Sequence, residues 1–151
     1  MDFMKIAIRE ARTGMRKHHG GPFGAVIVKD GKIIAKAHNM VLSTNDPTAH
    51  AEIVAIRKAA KKLGTFKLND CEIYSTAQPC PMCLSAIVWA RIKALYFGAN
   101  AEDATKIGFD DSNIYEMIKG KKSFPFPQNQ IKREECLSLF DEWMNMEHQN
   151  Y

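Results

Sequence analysis

No stretch of this 151-residue chain approaches the roughly 20 consecutive apolar residues that a membrane-spanning helix needs. The opening Met1-Asp2-Phe3-Met4-Lys5-Ile6 is too polar for the apolar region of a secretory signal, so a cytoplasmic protein with no membrane contact is expected. Internal repeats and low-complexity tracts are absent, which argues against solenoid and linker architectures. A concentrated basic surface is missing too. Lys and Arg outnumber Asp and Glu by 21 to 17, a net +4, but the clusters Lys61-Lys62 and Lys119-Gly120-Lys121-Lys122 are short and read as solvated helix or loop, so nucleic acid is not the expected partner. Cysteine is scarce. With four in the chain and no export signal, a disulfide framework is not expected. Cys71 and Cys136 have no Cys or His two to four positions away, so neither makes a metal half-site.

What is present suits one globular domain over residues 1–151, with a hydrophobic share of 46%. Phe3, Ile6, Ala7, Ala11 and Met15 recur at helical spacing and predict a first amphipathic helix, ended by His18-His19-Gly20-Gly21-Pro22. The paired histidines suit surface positions at a helix end. Phe23 to Val28 and Lys32 to Ala37 flank Asp30-Gly31, a hairpin signal. Asp46, followed by Pro47, is expected to cap a helix that carries His50 and Glu52 and stops at Gly64. Cys71 to Thr76 and Ala94 to Phe97 read as further strands around a helix begun by Pro79 and Pro81. Asn113 to Ile118 and about Lys132 to Met146 read as helices. Strand and helix alternating after a hairpin predict a mixed α/β sheet covered on both faces.

The chemistry concentrates in Thr48-Ala49-His50-Ala51-Glu52 and Pro79-Cys80-Pro81-Met82-Cys83. Two cysteines three apart at a helix start, with one imidazole from another helix, supply three legs of a tetrahedron around Zn²⁺ and leave the fourth for water. Two thiolates cancel the charge of the ion, so the site tolerates burial. A Cys-x-x-Cys alone suits a redox pair or half of a structural zinc site; Glu52 would then have no task. His-x-Glu followed at a distance by Pro-Cys-x-x-Cys is the pattern of zinc-dependent nucleobase deaminases, in which the Glu moves protons without ligating the metal. One difficulty is plain: residues two apart on a regular helix point about 200° apart, so His50 and Glu52 converge only if the site wraps the helix end.

Gly21-Pro22-Phe23-Gly24-Ala25, Asn45 to Glu52, Pro79 to Cys83 and Gly108-Phe109-Asp110-Asp111 together resemble the bacterial guanine deaminases, a family of the cytidine-deaminase-like zinc superfamily. The resemblance covers nearly the whole chain. It implies a three-layer α/β/α fold with a mixed five-stranded sheet, one Zn²⁺ per chain held by His50, Cys80 and Cys83, and a homodimer that exchanges the C-terminal helix and tail, about residues 132–151. It also implies that Asn39, Ala51 and the backbone after Glu52 hold a purine, that Phe23 and Trp89 pack on it, and that Asp111 and Tyr151 recognise or assist at its exocyclic amine. Ordinary core packing for Phe23 and Trp89, and helix capping for Asp111, are the alternative roles.

The reaction expected from these residues is hydrolytic deamination, with Glu52 carrying the proton from water to a ring nitrogen. Guanine going to xanthine and ammonia, a step of purine metabolism, is the leading reading. A tRNA-editing adenosine deaminase, or a deaminase of guanosine, cytosine or another aminated heterocycle, shares the zinc motifs; the scattered charge and the Asp110-Asp111 pair argue against the tRNA substrate. Gln78 stands where many members of the superfamily have Glu.

Overall fold

A computed structural model describes residues 1–151. Helix α1 (Phe3–Arg16) starts at Asp2, whose carboxylate accepts from the Lys5 backbone N–H at 3.0 Å and satisfies one of the unpaired donors of the first turn. It buries Ala7, Ala11 and Gly14, whereas Met15, placed on the apolar face by its spacing, is exposed. The face that meets the sheet is a stripe of small residues.

Strands β1 (Gly24–Lys29) and β2 (Lys32–His38) pair antiparallel about Asp30-Gly31, both at positive φ (49° and 70°), as a two-residue hairpin turn requires. A short α2 (Val41–Thr44) follows, then α3 (Ala51–Leu63), which Gly64 ends in the left-handed conformation. Strand β3 (Cys71–Ala77) leads into α4 (Pro81–Trp89), and β4 (Ala94–Ala99) returns parallel to β3. Three helices complete the chain, α5 (Ala101–Lys106), α6 (Ser112–Ile118) and α7 (Arg133–Asn145). The two short helices α2 and α5 have no apolar period to announce them; Asn100 and Asp103 form a reciprocal capping box at α5.

The sheet has four strands in the order β2-β1-β3-β4, antiparallel except for β3 with β4. The fifth strand implied by the resemblance is absent. After β4 the chain forms only helices and irregular segments, and Phe124-Pro125-Phe126-Pro127 lacks the backbone donors a ladder needs.

Alternation splits the sheet into two cores. Ala25, Ile27, Cys71 and Ile73 face Ala51, Ala55 and Ala59 of α3 and Ile87 of α4; Val26 and Val28 face Ala7 of α1 with Phe3 and Tyr74 around them. Strand β1 is buried on both faces, hence its unbroken apolar run. The three-layer α/β/α reading holds. These elements lie in a compact unit, Met1–Tyr115; a second unit, Glu116–Tyr151, carries α7 and has no buried residue.

Gly24 opens β1 against the backbone of α1, where an added Cβ would meet Ala7 O and lie 2.8 Å from Ala11 N. Backbone cannot yield as a flexible side chain does, so Gly24→Ala should destabilise the fold by about 1–3 kcal/mol. A chemical-denaturation midpoint indistinguishable from that of the parent would contradict this packing.

Candidate active site

The two ligand segments share one construction: each ligand is the residue at which a strand or loop becomes a helix. His50 is the N-cap of α3 in extended conformation (φ −64°, ψ 155°), and Cys80 is the N-cap of α4 (φ −65°, ψ 169°) with Pro81 at the first helical position. Asp46 does not cap α3. Its carboxylate accepts from the backbone N–H and the hydroxyl of Thr48 at 2.8 and 2.6 Å, closing a local turn that delays the helix to Ala51. This resolves the His50–Glu52 difficulty, because His50 lies outside the helix and the 100° step does not apply to it.

His50 Nδ1 lies 3.5 Å from both Cys80 Sγ and Cys83 Sγ, and the three donor atoms fall within 4.8 Å of one another. Zinc bound tetrahedrally at ordinary bond lengths sets nitrogen and sulfur about 3.6 Å apart. The donor set therefore fits the ion in chemistry and in spacing. Hydrogen bonds from the Cys83 thiol and then His50 bring the Cys80 thiol down to about 4. Cys83 is pushed up because it donates to Cys80, is buried and faces Glu52. Cys80 in turn holds the His50 imidazole above its ordinary range. A divalent cation binds both sulfurs as thiolates, so binding releases any proton the two share.

Glu52 is buried, and burial raises its carboxyl above the usual range. Its Oε1 accepts from Ser75 Oγ at 3.2 Å, and its Oε2 lies 3.5 Å from Cys83 Sγ. A carboxylate with its affinity for protons raised, beside three metal donors, has the chemistry a proton carrier needs. Ser75 escaped the sequence reading. The signal was available: Cys71, Ile73, Ser75 and Ala77 alternate inward along β3, and a hydroxyl among them needs a buried partner.

These groups open into a cavity of about 620 Å³ whose wall includes Phe23, Asn39, Gln78, Phe109 and Asp111 as well as His50, Glu52 and Cys80. Asn39 is buried and accepts from Val41 N at 3.1 Å. Phe23 meets Phe109 edge to face, centroids 4.9 Å apart, with Gly21 packed against both rings. Asp111 sits above the usual carboxyl range, first from burial and then from the Cys80 thiolate and Asp110. The side chain that serves the local turn is Asp110, accepting from Ser112 N at 2.9 Å. Gln78 Oε1 accepts from Ala101 N at the start of α5, a bond a Glu would make equally well.

Ala51 is wholly buried in the first turn of α3. Trp89 ends α4 two turns beyond the cysteines, is 67% exposed and is not in the wall of this cavity. Tyr151 is exposed at the terminus.

A His-Cys-Cys donor set over a buried carboxylate, on helices that start at one end of a mixed sheet, defines a zinc-dependent hydrolase centre of the nucleobase-deaminase type. Residues 1–99 match the cytidine and deoxycytidylate deaminase zinc-binding region, and the chain belongs to that family. It is 52% identical to the guanine deaminase of Bacillus subtilis over 144 residues, 95% of this chain and 92% of that one. An X-ray structure of guanine deaminase from Bacillus subtilis superposes with a TM-score of 0.91 at 48% identity, covering 100% of this chain and 99% of the other. The tRNA-specific adenosine deaminase of Aquifex aeolicus is 50% identical over 97 residues, 64% of each chain.

Glu52→Gln should retain zinc and lose at least ~100-fold in turnover, since a positioned proton carrier contributes that much; a zinc-replete variant with parental turnover contradicts the role. Ser75→Ala, which leaves one oxygen of a buried carboxylate without its donor, should lower turnover about tenfold at unchanged metal content, the worth of one hydrogen bond to a charged group.

Proposed function

We propose that this protein deaminates a free purine base by hydrolysis, converting guanine and water to xanthine and ammonia. The observation that carries the reading is the meeting of His50, Cys80 and Cys83 with buried Glu52 at one end of a cavity edged by aromatic rings and a buried amide. Likeness to guanine deaminase along 95% of the chain supports the choice of base.

Zinc held by His50, Cys80 and Cys83 supplies a Lewis acid that brings the pKa of a water toward neutrality. The rest falls to the chain's own side chains. Asn39 and the backbone from Ala51 past Glu52 hold the base, and Phe23, braced by Phe109, packs on its face. Glu52 takes a proton from the attacking water and delivers it to a ring nitrogen. The new C–O bond forms at the amine-bearing carbon. As the C–N bond breaks, the proton of the new hydroxyl passes to the exocyclic nitrogen, assisted by Asp111 with its proton affinity raised, so that the carbonyl forms and ammonia leaves. A reducing cytoplasm suits the free thiol ligands.

The protein acts as a homodimer that exchanges its C-terminal segment, so that Tyr151 closes the cavity of the partner copy. Support comes from α7, which exposes Leu139, Phe140 and Met144, an apolar surface larger than an isolated helix keeps in water. The cavity, in the size range of pockets for drug-sized ligands, also exceeds what a bicyclic base fills.

Ammonia release should be measured from guanine, guanosine, adenine, cytosine and a tRNA anticodon loop on one zinc-loaded preparation. Guanine should give the highest kcat/KM; preference for the RNA loop would transfer the protein to the tRNA-editing branch. Removing Gln149-Asn150-Tyr151 should leave the thermal midpoint and zinc content unchanged and lower guanine turnover more than about tenfold, the scale of one lost charge-assisted contact. A fully active truncation would rule out the tail as a lid.

A further inference from the structure

Behind the cavity wall lies a second set of titratable groups that the deamination chemistry does not use. His38 ends β2, with its ring between Glu10 of α1 and His19 of the turn that follows α1. Its Nδ1 lies 3.4 Å from Glu10 Oε2 and its Nε2 lies 2.9 Å from His19 Nδ1. The side chains of Glu10 and His38 are only 17% and 13% exposed. The His38 ring rests on the helix backbone at Gly14, where an added Cβ would lie 2.6 Å from Cδ2. A row of this kind fixes its tautomers. The Glu10 carboxylate accepts, so His38 carries a proton on Nδ1 and, when neutral, offers the lone pair on Nε2 to His19 Nδ1–H.

The far end of the row reaches the cavity. The His19 carbonyl accepts from the backbone N–H groups of Leu42 and Ser43 at 3.0 and 3.1 Å, and the next residue, Gly20, packs so closely on Asn39 Oδ1 that no side chain fits there. Gly20 and Asn39 both line the cavity. We propose that Glu10, His38 and His19 are positioning residues, which hold the His19-Gly20 turn against Asn39 and so set the amide that grips the base. The inference rests on the reading of Asn39 as a base contact. It makes binding, and not the chemical step, depend on a hydrogen-bonded row on the other side of β2.

The row accommodates one added proton, because a charged His38 can donate to His19 in its other tautomer. The charged groups around His38 are Glu10 from α1, Lys36 on β2, His19 from the turn and Lys58 from α3; Lys36 Nζ also pairs with Glu10 Oε1 at 3.2 Å. Burial, ahead of these neighbours, holds His38 below the ordinary imidazole range, which keeps the row closed at neutral pH.

The test is steady-state kinetics on guanine with His19→Ala, His19→Asn and Asn39→Ala, zinc content and thermal midpoint being measured on each. His19→Ala should raise KM about three- to tenfold with kcat within twofold, the worth of one neutral hydrogen bond. His19→Asn, whose amide takes the place of Nδ1, should restore KM. Parental KM in His19→Ala beside a raised KM in Asn39→Ala would overturn the relay and leave the base contact standing. Parental KM in Asn39→Ala beside a raised KM in His19→Ala would instead overturn Asn39 as its target. If His19→Ala fails to fold, His19→Leu, which keeps the bulk without a ring nitrogen, takes its place, and parental KM in it overturns the relay.

Discussion

The structure depends on a constraint of charge and geometry: two sulfurs and one imidazole nitrogen must meet at bonding distance of one ion while the chain around them stays folded. It is met by placing His50 and Cys80 at the capping residue of each helix, where the backbone is still extended and the side chain turns back toward the helix start. The amide dipoles of α3 and α4 then have their positive ends at the thiolates and at Glu52. Cys83 follows within the first turn, and the helix beyond buries Ile87 against the core. Catalytic geometry and helix initiation are one feature of this fold.

The sheet makes that convergence rigid. β1 is buried on both faces and β3 alternates inward residues that serve the core, Cys71 and Ile73, with one that serves the site, Ser75. The contacts of α3 with the sheet run through Ala51, Ala55 and Ala59, side chains small enough to bring the helix close and hold His50 in place. On the opposite face α1 approaches through Ala7, Ala11 and Gly14, and the same closeness brings Glu10 to His38. Small residues on both layers thus determine how far polar groups reach.

Some of this was legible residue by residue. His50, Glu52, Cys80 and Cys83 stood out because ligand types at ligand spacing are rare by chance, and Asp30-Gly31 and Gly64 announced their turns through the backbone angles they permit. Asp46 misled, since Asp before Pro marks both a helix cap and an Asx turn, and only the hydrogen bonds to Thr48 decide between them. Trp89 was assigned by likeness alone, and its place at the far end of α4 is a matter of helix length and direction. The alternation of β3 marks Ser75 as inward, but its partner and those in the row from Glu10 to His19 lie 23, 28 and 19 residues away, beyond any local pattern.

By itself the sequence determined the local matters: the longer helices and the strands, the turns at Asp30-Gly31 and Gly64, and the four side chains of metal-binding and proton-carrying type, because each depends on residue type and short spacing. Tertiary structure alone decided that the sheet stops at four strands, that Phe109 braces Phe23, and that Ser75 holds Glu52. Those are contacts between distant segments. They arise only when packing of apolar faces brings such segments together, and no local pattern encodes the distance at which they meet.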